Sequence, residues 1–490
     1  MAETGLDRLV QQAAVETADV EAVNAKAKRS LYSKREKIFP KLVHGRFRTI
    51  KWAVMAVTLA IYYLLPWVRW DRGPGAPDQA VLLDLPNRRF YLFFIEIWPQ
   101  QIYYLTGLLI LAAVGLFLVT AVAGRVWCGY TCPQTVWTDL FLLVERLVEG
   151  DRGERIRLDK KPMSAGKLAR RALKHGLWLL IALATGGAWV FYFADAPTLA
   201  ADLLAFQAPT VSYVFIGLLT FTTYWLGGHM REQVCTYMCP WPRIQGAMLD
   251  EDSLVVTYRD WRGEPRGALR KGADATGHGD CIDCKQCVVA CPMGIDIRDG
   301  QQLECITCAL CIDACNDVMT RIGKPRDLIA YDTLGNFERR ARGEPTRLRV
   351  FRPRTLLYAC VLLLVAGVMA VSFGTRSDLE INVIKDRNPL YVTLSDGAIR
   401  NGYTLKILNM ANAPRHFALS VEGLTGPTLQ LAGKVRADDI EVPADEVLTL
   451  RLFIAAAPDT LRSAATDIEF VLQSEGESHR HPSIFRGPER

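Results

Sequence analysis

Residues 281–292 read C-I-D-C-K-Q-C-V-V-A-C-P, placing thiols at Cys281, Cys284, Cys287 and Cys291 ahead of Pro292. Residues 305–315 read C-I-T-C-A-L-C-I-D-A-C, with thiols at Cys305, Cys308, Cys311 and Cys315. Both runs have the spacing C-x2-C-x2-C-x3-C, the pattern by which bacterial-type ferredoxins hold iron–sulfur clusters. Three thiolates two residues apart wrap one face of a [4Fe–4S] cubane, and the fourth points away to ligate the other cluster. That rule gives cluster I Cys281, Cys284, Cys287 and Cys315, and cluster II Cys305, Cys308, Cys311 and Cys291. Structural zinc sites use ligand pairs parted by a longer spacer, not two such dense runs. Disulfides need an oxidising compartment, and the charge pattern puts these runs on the reducing side.

Outward from the runs, the chain of 490 residues has room for several domains. Half of its residues are hydrophobic, and they cluster in a way that predicts membrane spans. The apolar stretches lie at about 49–68, 102–123, 177–194, 211–228 and 355–373. A spanning helix needs about 20 apolar residues, so the third and fourth are short, but their Trp and Tyr ends suit interfacial anchoring. Lys and Arg crowd the segment before the first span and the loop 151–175, whereas residues 195–210 have none. The positive-inside rule then places the N-terminus, 124–176 and 229–354 in the cytoplasm and sends the C-terminus across the membrane. Basic loop 151–175 suits an acidic protein donor or anionic lipid. Residues 1–48 hold no secretory signal and read as a solvated, partly disordered arm, although Leu6, Leu9, Val10, Ala13, Ala14 and Val20 share one helical face. After Thr375, short alternating segments broken by turn dipeptides predict an antiparallel sandwich of roughly 110 residues. His479 and His481 near its end are at most a weak copper site.

The expected architecture is a multi-domain membrane protein: a five-helix α transmembrane bundle, an inserted two-[4Fe–4S] ferredoxin domain and a C-terminal all-β immunoglobulin-like sandwich. The divisions fall at 1–48 for the arm, 49–250 for four spans, 251–354 for the ferredoxin domain, 355–373 for the fifth span and 377–490 for the sandwich.

Two further pairs follow the second and fourth spans: Cys128-G-Y-T-Cys132-Pro133 and Cys235-T-Y-M-Cys239-Pro240. The shared C-x-Y-x-C-P is an internal repeat that implies two related hairpins. On a helix, cysteines at i and i+4 share a face, so each pair offers two thiolates to one ion. Packed together, the hairpins bring four thiolates into one site, which selects Cu(I), zinc or an iron–sulfur centre over hard cations. Met230, Met238 and Met248 stand nearby as candidate thioether donors or plain packing. His44, His175 and His229 all fall at the cytoplasmic edge, so no haem pair crosses the bilayer.

With the ferredoxin runs, the paired motifs, the five spans and the sandwich together, the chain resembles the cytochrome c oxidase accessory protein family of the FixG/CcoG (RdxA) type. The one departure from the simplest ferredoxin pattern is Asn316, where a proline that supplies no ligand would follow Cys315. The resemblance implies a cupric reductase of the bacterial inner membrane. It would turn Cu(II) into Cu(I) for the copper centre of a cbb3-type oxidase, with two [4Fe–4S] clusters as cofactors. Cys128, Cys132, Cys235 and Cys239 would be its catalytic copper site. Expected partners are the lipid bilayer, oxidase subunits or copper chaperones and transporters, a cytoplasmic electron donor and a second copy of the chain, but no nucleic acid. Two other functions fit the residues: electron transfer to quinone or another membrane acceptor, with the four thiolates as a third iron–sulfur site, and a non-enzymatic oxidase assembly scaffold.

Overall fold

The computed structural model describes residues 17–24, 36–73, 76–267, 277–411, 413–433, 436–461, 463–474 and 477–488. In chain order the helices that position the site are α1 (Arg46–Leu64), α2 (Tyr103–Ala123), α3 (Pro133–Glu149), α4 (Ala165–Val190), α5 (Thr210–Thr223), α6 (Leu310–Arg321) and α7 (Pro353–Gly374). With their short extensions, α1, α2, α4, α5 and α7 form five helices of 21 to 26 residues, apolar enough to cross a bilayer. The protein is therefore a membrane protein. The third span begins at Ala165 rather than near 177, because the Ser164 hydroxyl caps the helix by accepting the Lys167 N–H. Lys174, which the sequence assigns to a loop, lies on this helix and is buried against Glu149 (3.0 Å). A three-stranded sheet, β1 (Val81–Asp84), β2 (Arg89–Leu92) and β3 (Ile95–Ile97), forms in the connection from α1 to α2, where no strand is expected.

The chain folds as two units: Met1–Val68 with Gln79–Met369, and Arg69–Asp78 with Ala370–Arg490. In the first, the spans and the ferredoxin segment form one compact body. Strands β4 (Leu254–Tyr258) and β5 (Ile329–Thr333) pair antiparallel and bracket the two cysteine runs. Their side chains join Ile282, Val288, Ile312 and Val318 in a common core. The reading of residues 1–48 as a solvated arm needs correction where the chain is described. The Ala18 N–H donates to the Cys284 carbonyl (3.2 Å), the Asn24 N–H to Gly294 (3.1 Å) and the Lys41 N–H to Val289 (2.8 Å). Val20 and Ala22 pack on the ferredoxin core. Backbone bonds to a folded neighbour, invisible to composition, hold this polar segment in place. Leu6, Leu9, Val10, Ala13 and Ala14 lie outside the described residues.

Asp313 of α6 ties the ferredoxin segment to the first span. Its carboxylate accepts the Phe47 N–H (3.2 Å) and the Arg48 N–H (2.7 Å). It thereby caps α1, whose own N-cap position, Gly45, has no side chain to do so. At the other end of the segment, Arg352 ahead of α7 pairs with Asp250 and donates to the Ala121 carbonyl at the end of α2 (2.7 Å).

The second unit holds a two-sheet sandwich. Its strands are β6 (Leu379–Lys385), β7 (Val392–Thr393), β8 (Ile399–Asn409), β9 (Arg415–Glu422), β10 (Thr428–Leu431), β11 (Ile440–Val442), β12 (Glu446–Ala456), β13 (Ala465–Ser474) and β14 (Glu477–Arg486). One sheet runs β10-β12-β8-β6 with β7 on β8, and the other runs β11-β9-β13-β14. Alternation along β8 buries Tyr403, Leu405 and Ile407 against Phe417, Ile454 and Phe470. Three strands, β10, β11 and β14, are missing from the sequence reading, two because they are short. The third carries His479 and His481, read as lying near a flexible end. They sit instead in β14, in register with Leu472 and Phe470 of β13. Pro482 is tolerated there because β14 is an edge strand.

Candidate metal centre

The two ferredoxin runs share a backbone device that their spacing alone does not reveal. Asp283 (φ 48°) and Lys285 (φ 55°) are left-handed in the first run, and Thr307 (φ 57°) and Ala309 (φ 60°) occupy the same register in the second. Each costs roughly 1–2 kcal/mol in a non-glycine residue, so their repetition marks an imposed geometry. The turns bring backbone N–H groups to sulfur: Gln286 N–H lies against Cys284, and Thr307 N–H against Cys305. Helices then start at Gln286 and Leu310.

The fourth cysteines cross over as the spacing rule requires. Cys315 lies among Cys281 and Cys284, whereas Cys291 lies among Cys305 and Cys308. A small cavity between the runs is walled by Cys287, Cys291, Cys305, Cys308 and Cys311. Burial pushes Cys305 up to about 11 and Cys291 and Cys315 up to about 12. As free thiols these groups would stay protonated, and a bound iron–sulfur cluster reverses that preference. Among the described residues, no three His, Cys, Asp or Glu side chains close on a point where one ion would sit. The thiolates around a cubane stand farther apart than those around a single ion, so the cavity, the sulfur-directed N–H groups and the crossed fourth cysteines fit clusters. Arg298 lies beside cluster I's ligands, with a guanidinium nitrogen 3.9 Å from the Cys281 sulfur and 2.6 Å from the Asp283 carboxylate.

The C-x-Y-x-C-P pairs are built differently, and here the i,i+4 expectation is corrected. Cys128 lies in a short helix, Val126–Tyr130, but Cys132 (φ −58°, ψ 128°) is the N-cap of α3, with Pro133 as its first residue. Cys235 lies in a π-helical turn, Val234–Met238, which ends at Cys239 (φ −80°, ψ 123°) before Pro240. A residue preceding proline is pushed out of the helical region, so each C-P dipeptide breaks its helix and the two thiols straddle the break. The four thiols still meet: Cys235 faces Cys132, Cys128 and Cys239. Exposure is graded, from buried Cys128 through half-buried Cys132 and Cys235 to exposed Cys239. Burial raises Cys128 to about 11, opposed by Arg125, and Cys235 to about 12.

This quartet abuts the cysteines assigned to cluster II rather than those assigned to cluster I. Cys128 and Cys235 pack in one apolar cluster with Cys291, Cys305 and Cys308. A Cβ at Gly129 would fall 2.7 Å from the Ile306 oxygen and 3.0 Å from the Cys308 Cα, so only glycine allows this approach. The next residue, Tyr130, donates its hydroxyl to the Cys308 carbonyl (3.2 Å).

Comparison with known proteins agrees with this layout. A family of 4Fe-4S dicluster domains matches residues 230–334, and one of 4Fe-4S binding domains matches 105–149. The IG-like fold at the C-terminal of FixG matches residues 369–488. Nitrogen fixation protein FixG of Rhizobium meliloti is 53% identical, over 97% of this chain and 97% of its own. The chain belongs to the FixG family. Protein RdxB of Cereibacter sphaeroides is 54% identical over 94% of this chain and 98% of its own, and Protein RdxA of the same organism 52% over 91% and 95%. This FixG-family protein is thus a membrane-bound iron–sulfur oxidoreductase.

Several residues that hold the quartet of this FixG-family protein carry no motif. Buried Gln245 accepts the Cys128 thiol (3.0 Å) and donates to the Thr120 hydroxyl (3.2 Å). Arg231, left-handed at φ 44°, separates the two π-helical turns and is held by Glu145 of α3 at 2.8 Å. Glu145 also takes Arg155 (3.0 Å) and Lys174 (3.5 Å). Burial alone would raise its pKa, but Arg231, Lys174 and Arg155 together hold it at about 2. Gln134 donates to the carbonyls of Leu226 (2.9 Å) and Arg231 (3.2 Å). The π-helical turn Tyr224–Met230 stacks His229 on His175, rings 5.8 Å apart, and the Tyr224 hydroxyl bonds the His175 Nδ1 (3.0 Å). The histidines form a pair, though not one that crosses the membrane. Of the candidate thioethers, Met238 is exposed.

Proposed function

We propose that this protein reduces Cu(II) to Cu(I) at Cys128, Cys132, Cys235 and Cys239, supplying a copper centre such as that of a cbb3-type oxidase. The observation that carries the reading is the meeting of four thiols from two helix breaks directly against the loop bearing Cys305 and Cys308. Soft sulfur donors favour Cu(I) over Cu(II), so the quartet itself drives the one-electron reduction. Cu(II) gains one electron and becomes Cu(I), and a reduced donor protein on the ferredoxin side loses it. When bound, [4Fe–4S] clusters at the eight ferredoxin cysteines supply one-electron carriage. The chain's own part is positional: Gln245 and the Glu145–Arg231 pair set the thiols, and Gly129 brings them against the Cys308 loop. Exposed Cys239 is the member of the quartet that copper would meet first. The Lys and Arg distribution supports a cytoplasmic ferredoxin side and a periplasmic sandwich.

The test uses full-length protein purified without oxygen, its clusters loaded and reduced, and a Cu(I)-specific chelator as readout. Cu(II) reduction that disappears in Cys128→Ala/Cys132→Ala while iron stays near eight atoms per chain supports the reading. Unchanged reduction in that variant sinks it. One observation favours a second reading: the match to 4Fe-4S binding domains over 105–149 covers Cys128 and Cys132. In that case the quartet carries a third iron–sulfur centre that passes electrons to a quinone or another membrane acceptor. Iron near twelve atoms per chain, falling to about eight in the same variant, would establish it.

A further inference from the structure

Three residues before Cys128, at the end of α2, stands Arg125. Its side chain is 4% exposed, so the charge lies out of water. One terminal nitrogen donates to the Leu303 carbonyl, two residues before Cys305. The Nε is buried without a hydrogen-bond partner. Arg125, Leu303, Cys305 and Thr307 wall one cavity of about 400 Å³. On its other side the guanidinium faces Cys128 and Cys235. A cation at this point sees both sulfur arrays across a medium that screens it little.

Gly124 brings it there. Left-handed at φ 65°, it ends α2 in close contact with the Leu254 carbonyl. The chain turns sharply enough for the next side chain to enter between the arrays. Cluster I has its own cation in Arg298, 3.9 Å from the Cys281 sulfur and held by Asp283 and Asp296. Arg298 thus stands beside the cysteines of cluster I, with Arg262 near Cys315, while Arg125 stands beside Cys305, Cys128 and Cys235.

We infer that Arg125 is a fixed positive charge set between cluster II and the four-thiol site, and that it raises the reduction potential of a cluster held by Cys305, Cys308, Cys311 and Cys291. A cluster that takes up one electron gains one negative charge, and a cation held in low dielectric stabilises that state over the oxidised one. The inference rests on the proposed roles of the ferredoxin cysteines and of the quartet.

The experiment is an EPR-monitored redox titration of anaerobically purified full-length protein in nanodiscs, with dithionite supplying the electrons and no copper present. In Arg125→Gln, one of the two [4Fe–4S] midpoint potentials should fall and the other stay. In Arg298→Gln, the opposite one should fall. Arg125→Lys, which keeps the charge, should leave both near the parent values. Midpoints that stay put in Arg125→Gln, or move together by equal amounts, overturn the inference. Should Arg125→Gln lose its clusters for want of the Leu303 bond, Arg125→Lys decides: a midpoint that falls below the parent's as pH rises from about 7 to about 11 and the buried lysine deprotonates supports the charge, and one that tracks the parent throughout refutes it. Since no copper is involved, this outcome is independent of whether the protein reduces Cu(II).

Discussion

The eight ferredoxin cysteines and the four membrane-edge cysteines lie in one apolar body, but the chain fixes them by opposite means. The ferredoxin sulfurs are set locally. Four left-handed residues at matching registers, the N–H groups of Gln286 and Thr307, and the helices that follow are all encoded within a few residues of each thiol. The quartet is set from a distance. Cys128 answers to Gln245, 117 residues away, and the break carrying Cys235 and Cys239 is pinned through Arg231 to Glu145 of another helix. Local control yields a cradle formed ahead of its cargo. Distant control yields a site whose members differ in exposure, from buried Cys128 to exposed Cys239.

The contrast is tested most severely at Glu145. Replacing it by Gln leaves Arg231, Arg155 and Lys174 facing a neutral group in a buried setting, and removing one partner of such a network costs about 3–5 kcal/mol. Glu145→Gln should lower the melting temperature in detergent and quicken alkylation of Cys235, while the ferredoxin iron stays. Equal loss of iron would mean that the two arrays are not fixed independently. The pH dependence follows from the same carboxylate. Its folded pKa of about 2 lies below the ordinary glutamate value of about 4.3. The stabilisation is therefore complete above about pH 4.3 and lost as pH falls towards 2. Acid titration of the melting temperature should show this fall in the parent and a shallower one in Glu145→Gln.

A smaller effect is expected at the seam between the arrays. Gly129→Ala inserts a Cβ against Ile306 and Cys308, and such overpacking costs about 1–3 kcal/mol. The thermal midpoint should drop and the Cys239 alkylation rate rise. A variant indistinguishable from the parent would show that the contact is slack. Smallest is Ala309→Gly, which relieves a left-handed strain of roughly 1 kcal/mol at the expense of chain entropy. Protein stripped of iron should melt at the same temperature or slightly higher in this variant. A clear loss would mean that the Ala309 methyl, 1% exposed, matters more than its backbone.

The same division explains what was legible in the sequence. Cysteine spacing, apolar length and the alternation along β8 and β13 are local patterns, so the ferredoxin runs, the spans and most of the sandwich can be read from the chain alone. The approach of the two C-P breaks could be expected from their repetition, but the breaking of the helix at Cys132 and Cys239 calls for weighing the proline over the i,i+4 spacing. Glu145, Gln245, Gln134 and Arg125 act through partners 86 to 178 positions away or on other helices, and no window of sequence contains both ends. Arg125 carries one local signal, a cation three residues from a thiol at a helix end. The docking of the segment at 17–24 was not legible beyond the apolar Val20, because the Ala18 and Asn24 amides bond to the main chain of a distant region.

The Asp313 cap on α1 has a consequence for the order of biogenesis. The first helix leaves the ribosome some 265 residues before the carboxylate that finishes its entry end. Until α6, which bears Cys311, Asp313 and Cys315, has been made and folded, the Phe47 and Arg48 amides must rely on water. A chain in which α6 has failed to fold would therefore carry a second fault at the far end of its sequence, in the first span.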